Sequence, residues 1–387
     1  MMEEKFSFPS KLRISAFALV AIGVIAFIWG FISNPDQAWA NLLLNNFYFI
    51  SIAVGASFFL SLQYIAQAGW SSGFKRVSEA VVAYLPVGGI FFIVLIFGLG
   101  HIYHWAHAGA TAHDELLAHK SVFLNVPFFS VRILLYFSLW IFMARYLRKL
   151  SLKEDVEGGL SWFEKSEFYS KVNIFILAVT FTFASIDWLM SIHPHWYSTI
   201  FSFKTFASAF YHGSTAVILI ILLLHKGGYY SFLNKSHLHD FSRYIFMLSI
   251  IYGYLWFMQF TIIWYGNIPE ETIYYALRWE PQWKALFFVD IILNFAIPFL
   301  VLMPRAPSRN KMIILIVAVI VLIGLWIELY IQILPAVSKA NNFGLLEIGA
   351  FAGFLGLFIL MVATTLSKAS LIPKNHPYLD ECLKHHF

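Results

Sequence analysis

Asp187, His193, His195 and Lys204 fall within eighteen residues of "SIDWLMSIHPHWYSTIFSFKTF" (Ser185–Phe206), between two very apolar stretches, with Trp188 and Trp196 beside them. A carboxylate, two imidazoles and an amine at this spacing suit proton transfer, because a histidine near a carboxylate exchanges a proton close to neutral pH. Further ionisable residues lie inside apolar runs: Arg132, His212, Asp290 and Glu328, with His101 and His104 near the end of another. Charges inside membrane segments are costly and point to function, each with an expected partner. Here the expected pairs are Asp187 with Lys204, and Arg132 with a nearby carboxylate. The alternative is that such pairs only fix helix packing, although buried pairs add little net stability over apolar substitutes.

The elements that position these groups are membrane helices. The chain has 387 residues, 60% hydrophobic and 12% charged, with a mean hydropathy of +0.72. A soluble domain does not hide so much apolar surface, and the runs exceed a bilayer's thickness. An all-α polytopic membrane protein follows. Ten spans are expected at roughly 13–33, 45–69, 78–106, 122–147, 167–192, 198–225, 240–264, 282–303, 312–334 and 344–367. "AWA" (Ala38–Ala40) resembles a signal-cleavage site, but the apolar stretch before it is too long for a signal core, so an uncleaved helix is expected.

Lys and Arg concentrate at the N-terminus, in the even-numbered loops and in the tail, whereas the odd-numbered loops hold Lys120, Arg278 and Lys339. The positive-inside rule therefore puts both termini in the cytoplasm. At about 1.5 Å per residue, Asp187, Lys204, Asp290 and Glu328 each lie within roughly 10 Å of the outer end of their helix. Arg132 and His212 go deeper. The inner half, with Gln63, Gln67, Tyr84 and Ser249, is expected to be mostly dry and to hold no carboxylate inside a span.

The single cysteine, Cys382, excludes a disulfide framework or a cysteine-ligated cluster made by this chain alone. His101, His104 and His107 fan across a helical face, followed by His113 and His119, but specify no metal geometry. Only His212 stands at mid-depth, which does not make a bis-histidine haem site. No basic tract with interleaved aromatics appears, so nucleic acid is not an expected partner. Pro86, Pro127 and Pro298 are candidates for kinks. The charged segment between the fourth and fifth spans reads as a surface loop, and "AHAGATAHDELLAHK" as a short interfacial helix.

The interior reads as duplicated. Matching Pro194 to Pro335 sets Asp187 on Glu328, and "FFSVRILLYF" (Phe128–Phe137) against "LFFVDIILNF" (Leu286–Phe295) sets Arg132 on Asp290. Two parallel four-helix bundles follow, at roughly 35–194 and 195–335. Flanking helices would occupy roughly 1–34 and 336–367, with a cytoplasmic tail at 368–387.

"DWLMSIHPHWYSTIF" (Asp187–Phe201), "FASAF" (Phe206–Phe210) and "YLWFMQFTIIWYGNIPEET" (Tyr254–Thr272) resemble the NrfD/polysulfide-reductase type of membrane subunit. Within it, they are most similar to the second quinone-binding-type subunit of bacterial alternative complex III. The family often has an acidic residue before the proline of "PHW", where this chain has His193. The resemblance implies a multi-pass subunit of the bacterial inner membrane in a respiratory quinol:electron-acceptor oxidoreductase, with a quinone, menaquinone first, as substrate. It implies a sister membrane subunit, an iron–sulfur subunit and multihaem and monohaem cytochrome c subunits as partners, with a terminal oxidase downstream. Haem c and iron–sulfur clusters would belong to those partners, with no cofactor tightly held by this chain.

On this reading His101 and Asp187 take the quinol protons; Arg132, Lys204, His212, Asp290 and Glu328 relay them; and His104, Trp188, His195 and Trp196 line the quinone pocket. The rival expectations are a proton-coupled small-solute transporter and a structural scaffold.

Overall fold

The computed structural model describes residues 4–112, 114–338 and 341–386, so His113 and Lys339 lie outside the described residues. Ten helical segments are long and apolar enough to cross a membrane. Lipid offers no partner to a backbone N–H or C=O, and a helix satisfies them within itself.

The spans begin with α1 (Ser10–Ser33) and α2 (Pro35–Ile65). The third is broken into α3 (Lys75–Val82), α4 (Leu85–Leu95) and α5 (Leu99–Ile102), with Pro86 in the first turn of α4. The short α6 (Glu115–Lys120), capped by Asp114, is the expected interfacial helix. Next come α7 (Val126–Glu157), α8 (Leu160–Trp188), α9 (Thr199–Lys226) and α10 (Lys235–Gly266). A ten-residue helix, α11 (Pro269–Arg278), precedes the eighth span, which comprises α12 (Pro281–Ile291), a π-helical turn at Ile292–Ala296, and α13 (Ile297–Leu302). Finally α14 (Lys311–Val337) and α15 (Leu345–Leu366) cross, and α16 (Leu379–Leu383) lies in the tail.

Both ends of the chain meet on one face, where the Leu371 amide donates to the Glu4 carbonyl at 2.8 Å. This is the termini face; its opposite is the far face.

Two helices form the centre. The apolar window of α2 is 94% buried and that of α9 is 72%, against 17% for α1. They cross at Gly55 and Gly213, where an added Cβ on Gly55 would stand 1.8 Å from the Ala209 carbonyl oxygen. Close backbone approach of this kind is how membrane helices gain packing energy without a hydrophobic drive. A similar seam at Gly23 and Gly353 joins α1 to α15.

Several expectations need correction. The charged segment between the fourth and fifth spans is not a surface loop: α7 continues to Glu157, α8 begins at Leu160, and Gly158 and Gly159, at φ 66° and 85°, make the turn. Helix-forming charged residues simply extend both helices past the apolar run. Pro127 starts α7, where its missing N–H costs nothing, so it makes no kink.

The half towards the termini face is not dry. Lys75 and Glu154 are buried as an ion pair, Arg76 donates to Glu79 at 2.8 Å, and Ser151 donates to Glu79 at 2.6 Å. Residues counted as loop charges are buried because the tail folds over them; the Lys374 amide and the Asn375 side chain both donate to Asp155 at 3.0 Å. Between the two polar layers, Asn173 of α8 donates to Ser57 and Ser61 of α2 at 3.0 and 2.9 Å.

Candidate functional site

Lys204, Ser208 and His212 recur every four residues on α9, and so project from one face of that helix. Across from them stand Glu328 and Gln332 of α14, also four apart. Lys204 Nζ lies 2.9 Å from Glu328 Oε1, and Ser208 Oγ donates to Glu328 Oε2 at 2.7 Å. Gln332 donates to Glu328 Oε1 at 3.1 Å.

The chain of contacts continues through His212. Its Nε2 is 2.9 Å from Asn294 Oδ1, and Asn294 Nδ2 donates to Asp290 Oδ1 at 2.8 Å. Tyr252 and Trp256 of α10 complete the set, donating to Asp290 at 2.9 and 3.2 Å. Asn294 sits in the π-helical turn just before Pro298, a local distortion of a kind that recurs at functional sites. Gly324 leaves room for it, since a Cβ there would meet Asn294 Oδ1 at 2.3 Å. All these side chains are buried except Trp256, which is partly so.

The proton bookkeeping of this network is informative. Asn294 gives its amide hydrogens to Asp290, so its oxygen faces His212 Nε2. On the other side, His212 Nδ1 lies 2.6 Å from the Ser208 carbonyl oxygen. Acceptors therefore flank both ring nitrogens, the Asn294 oxygen on one side and the Ser208 carbonyl on the other. Lys204 and Glu328 form the ion pair of the set, and Asp290 is held by donors from Asn294, Tyr252 and Trp256. Glu328 is in direct contact with Lys204 and Ser208, and Asn294 bridges His212 to Asp290.

Asp187, by contrast, sits in a closed clamp. Arg132 Nε and Nη2 donate to the two Asp187 oxygens at 2.8 and 2.9 Å, and Tyr136 adds a third bond at 2.9 Å. Arg132 also donates to the Phe123 carbonyl at 3.0 Å and lies over the Phe123 ring at 3.9 Å. A bidentate pair so enclosed is rigid. The expected Asp187–Lys204 pair does not form: Asp187 belongs to Arg132, and Lys204 to Glu328. The aligned positions 132 and 187 hold a base and an acid in contact, whereas 290 and 328 hold two acids linked through α9 and Asn294.

The remaining expected residues do not gather around Asp187. His101 is 43% exposed and pairs with Asp36 at 2.6 Å, its ring stacked near Trp39. The helix ends at Ile102, so His104 and His107 are on a separate turn, both exposed, and meet edge to face at 5.5 Å. His195 pairs with Asp114 at 2.9 Å on the surface. Trp188 is fully enclosed by aromatic rings, with Phe92 at 4.0 Å, and Trp196 stacks on Tyr274 at 4.1 Å.

His193 is partly buried beyond the far-face end of α8; desolvation and the neighbouring Arg278 push its pKa down to about 3. Its Nε2 has no hydrogen-bond partner among the described residues. Arg278, also buried, donates to the carbonyls of Tyr274 at 2.6 Å and Gln332 at 3.0 Å.

A separate apolar cavity of about 440 Å³ opens between α2, α14 and α15, lined by Tyr48, Trp326, Phe343 and Phe351. Glu347 is at its edge, fully buried, accepting from Gln37 at 2.6 Å, Asn41 at 2.9 Å and the Gly344 amide at 2.8 Å.

Ser208, Gln332, Asn294, Tyr252, Trp256 and Tyr136 escaped the sequence reading. The signal for most of them was the four-residue spacing from a residue already singled out: 204–208–212, 290–294, 328–332, 132–136. Neither a protein-family model nor a curated protein matches the chain.

Proposed function

We propose that the chain is a proton-handling membrane subunit of a bacterial respiratory quinol:electron-acceptor oxidoreductase of the alternative complex III type, in the inner membrane. The observation that carries this reading is the buried, hydrogen-bonded run Lys204–Glu328–Ser208–His212–Asn294–Asp290. A scaffold has no use for an ion pair, a histidine and a second carboxyl group buried together, since apolar packing serves it as well. Quinol oxidation yields two electrons and two protons. This chain's residues accept and pass protons, while electrons go to iron–sulfur and haem c groups of partner subunits.

The cavity of Tyr48, Trp326, Phe343 and Phe351 offers a flat apolar slot of the size usual for small ligands. It suits a quinol ring better than the neighbourhood of Trp188, which is filled by protein. Glu347 beside it is an acceptor for a quinol hydroxyl. His101 and Asp187 take other parts on this reading: His101 exchanges protons with solvent at the far-face rim, and the Arg132–Asp187 clamp holds α7 to α8.

The test uses the complex purified with this chain in mild detergent and reconstituted in vesicles. Glu328→Gln and Asp290→Asn are expected to reduce quinol-driven proton release while leaving assembly intact. Unchanged quinol oxidation and unchanged proton release in both variants would refute the proposal. Uptake of a solute by the chain reconstituted alone would favour a transporter instead.

A further inference from the structure

We propose that the lipid-facing groove between the third and fourth spans binds one anionic phospholipid, its phosphate on Arg145 and Lys149. The groove has a volume of about 680 Å³; Pro86, Gly89 and Ile93 of α4 form one wall, and Phe137, Ile141 and Phe142 of α7 form the other. Gly89 and Pro86 present little side chain, which leaves the space open beside the large residues of α7.

The cations set the class of ligand. Arg145 and Lys149 line the end of the groove nearer the termini face, one helical turn apart. Among the described residues neither has a hydrogen-bond or ion-pair partner. Their neighbours differ: Arg148 reaches Glu79 and the Thr365 carbonyl, Arg76 reaches Glu79 and Asp155, and Lys75 reaches Glu154. This half of the molecule therefore pairs its buried charges and leaves two exposed cations at the mouth of an apolar groove.

The dimensions set the occupant. From Arg145 to Ile133, the apolar end of the groove on α7, twelve residues at 1.5 Å span about 18 Å. One leaflet of a roughly 30 Å hydrocarbon core is comparable in depth. An acyl chain lying along Ile141, Phe137 and Ile133 puts its phosphodiester at the level of the two cations. A phosphate accepts from both a guanidinium and an ammonium, and each such cation strengthens binding of an anionic headgroup severalfold.

The experiment uses the full chain purified in mild detergent, with phosphatidylglycerol and phosphatidylcholine as probes and bound lipid counted by native mass spectrometry. One phosphatidylglycerol is expected to bind, with phosphatidylcholine much weaker. Arg145→Gln with Lys149→Gln is expected to weaken phosphatidylglycerol about thirtyfold and to leave phosphatidylcholine unchanged. Ile93→Trp, at an exposed position on the wall, fills the groove without touching the cations and is expected to displace the lipid. Unaltered phosphatidylglycerol binding in either variant would overturn the proposal. In particular, binding that survives Ile93→Trp would mean that the cations attract headgroups in general and the groove holds nothing. Unfolding midpoints matching wild type establish that both variants are folded.

Discussion

Lys204→Met leaves Glu328 as a buried anion deprived of its ion-pair contact, 2.9 Å away. Breaking one side of a buried pair costs about 3–5 kcal/mol, because the remaining charge is neither solvated nor compensated. The single variant Glu328→Leu strands Lys204 and also two donors, Ser208 and Gln332, and belongs in the same range. The double variant removes one charge of each sign and leaves neither partner stranded. It is expected within about 2 kcal/mol of wild type, the residue being the two orphaned donors. The two single effects and the double effect form a cycle with an interaction energy of several kcal/mol. The assay is reversible unfolding of the purified chain in mixed micelles, followed by tryptophan fluorescence. Singles that cost under 1 kcal/mol, or a double that costs the sum of both, would refute the charge-balance argument.

Three further outcomes follow from local geometry. His193 has a folded pKa of about 3 against about 6.5 in the unfolded chain, so the unfolded state binds the extra proton as pH falls; stability drops from pH 6.5 downward, and His193→Leu is expected to flatten that loss in an acid unfolding series. Cys382 is buried, its thiol pushed up to about 11 by burial, and its sulfur lies 3.0 Å from the Trp70 carbonyl oxygen; an alkylating reagent at pH 8 is expected to label it only after unfolding, as read by mass spectrometry. Gly213→Ala sets a Cβ 2.5 Å from the Gly55–Ala56 backbone and is expected to destabilise by about 1–3 kcal/mol in the same micelle assay, whereas Gly266→Ala, with nothing within 4 Å, changes little.

Much of the architecture was legible because lipid imposes a simple rule on apolar run length. Ten spans, the helix after Asp114 and the buried status of Arg132, Asp187, Lys204, Asp290 and Glu328 were all readable from one-dimensional patterning. Helix ends were not, since "RKLSLKEDVE" is polar yet continues α7: hydropathy marks the membrane, not the helix. Partner choice was equally hidden. Asp187 stands near Lys204 along the chain, but α7 packs on α8 while α9 faces α14, so distance in sequence misassigned the pairs. Buried charges near the termini face were misread for the same reason, because a tail that returns from residue 368 onward cannot be seen from the composition of the loop it covers. Asn294 was missed because an asparagine in an apolar run gives little sign of the π-helical turn that aims it.

The seam between Gly23 and Gly353 has a consequence for biogenesis. α1 enters the bilayer before the other nine spans, yet its main neighbour, α15, enters after them. Until then the glycine stripe of α1 has no matching surface, and the helix waits in lipid while the interior assembles around α2. Docking of that stripe therefore waits for α15, and a ribosome stalled before residue 345 leaves it facing lipid.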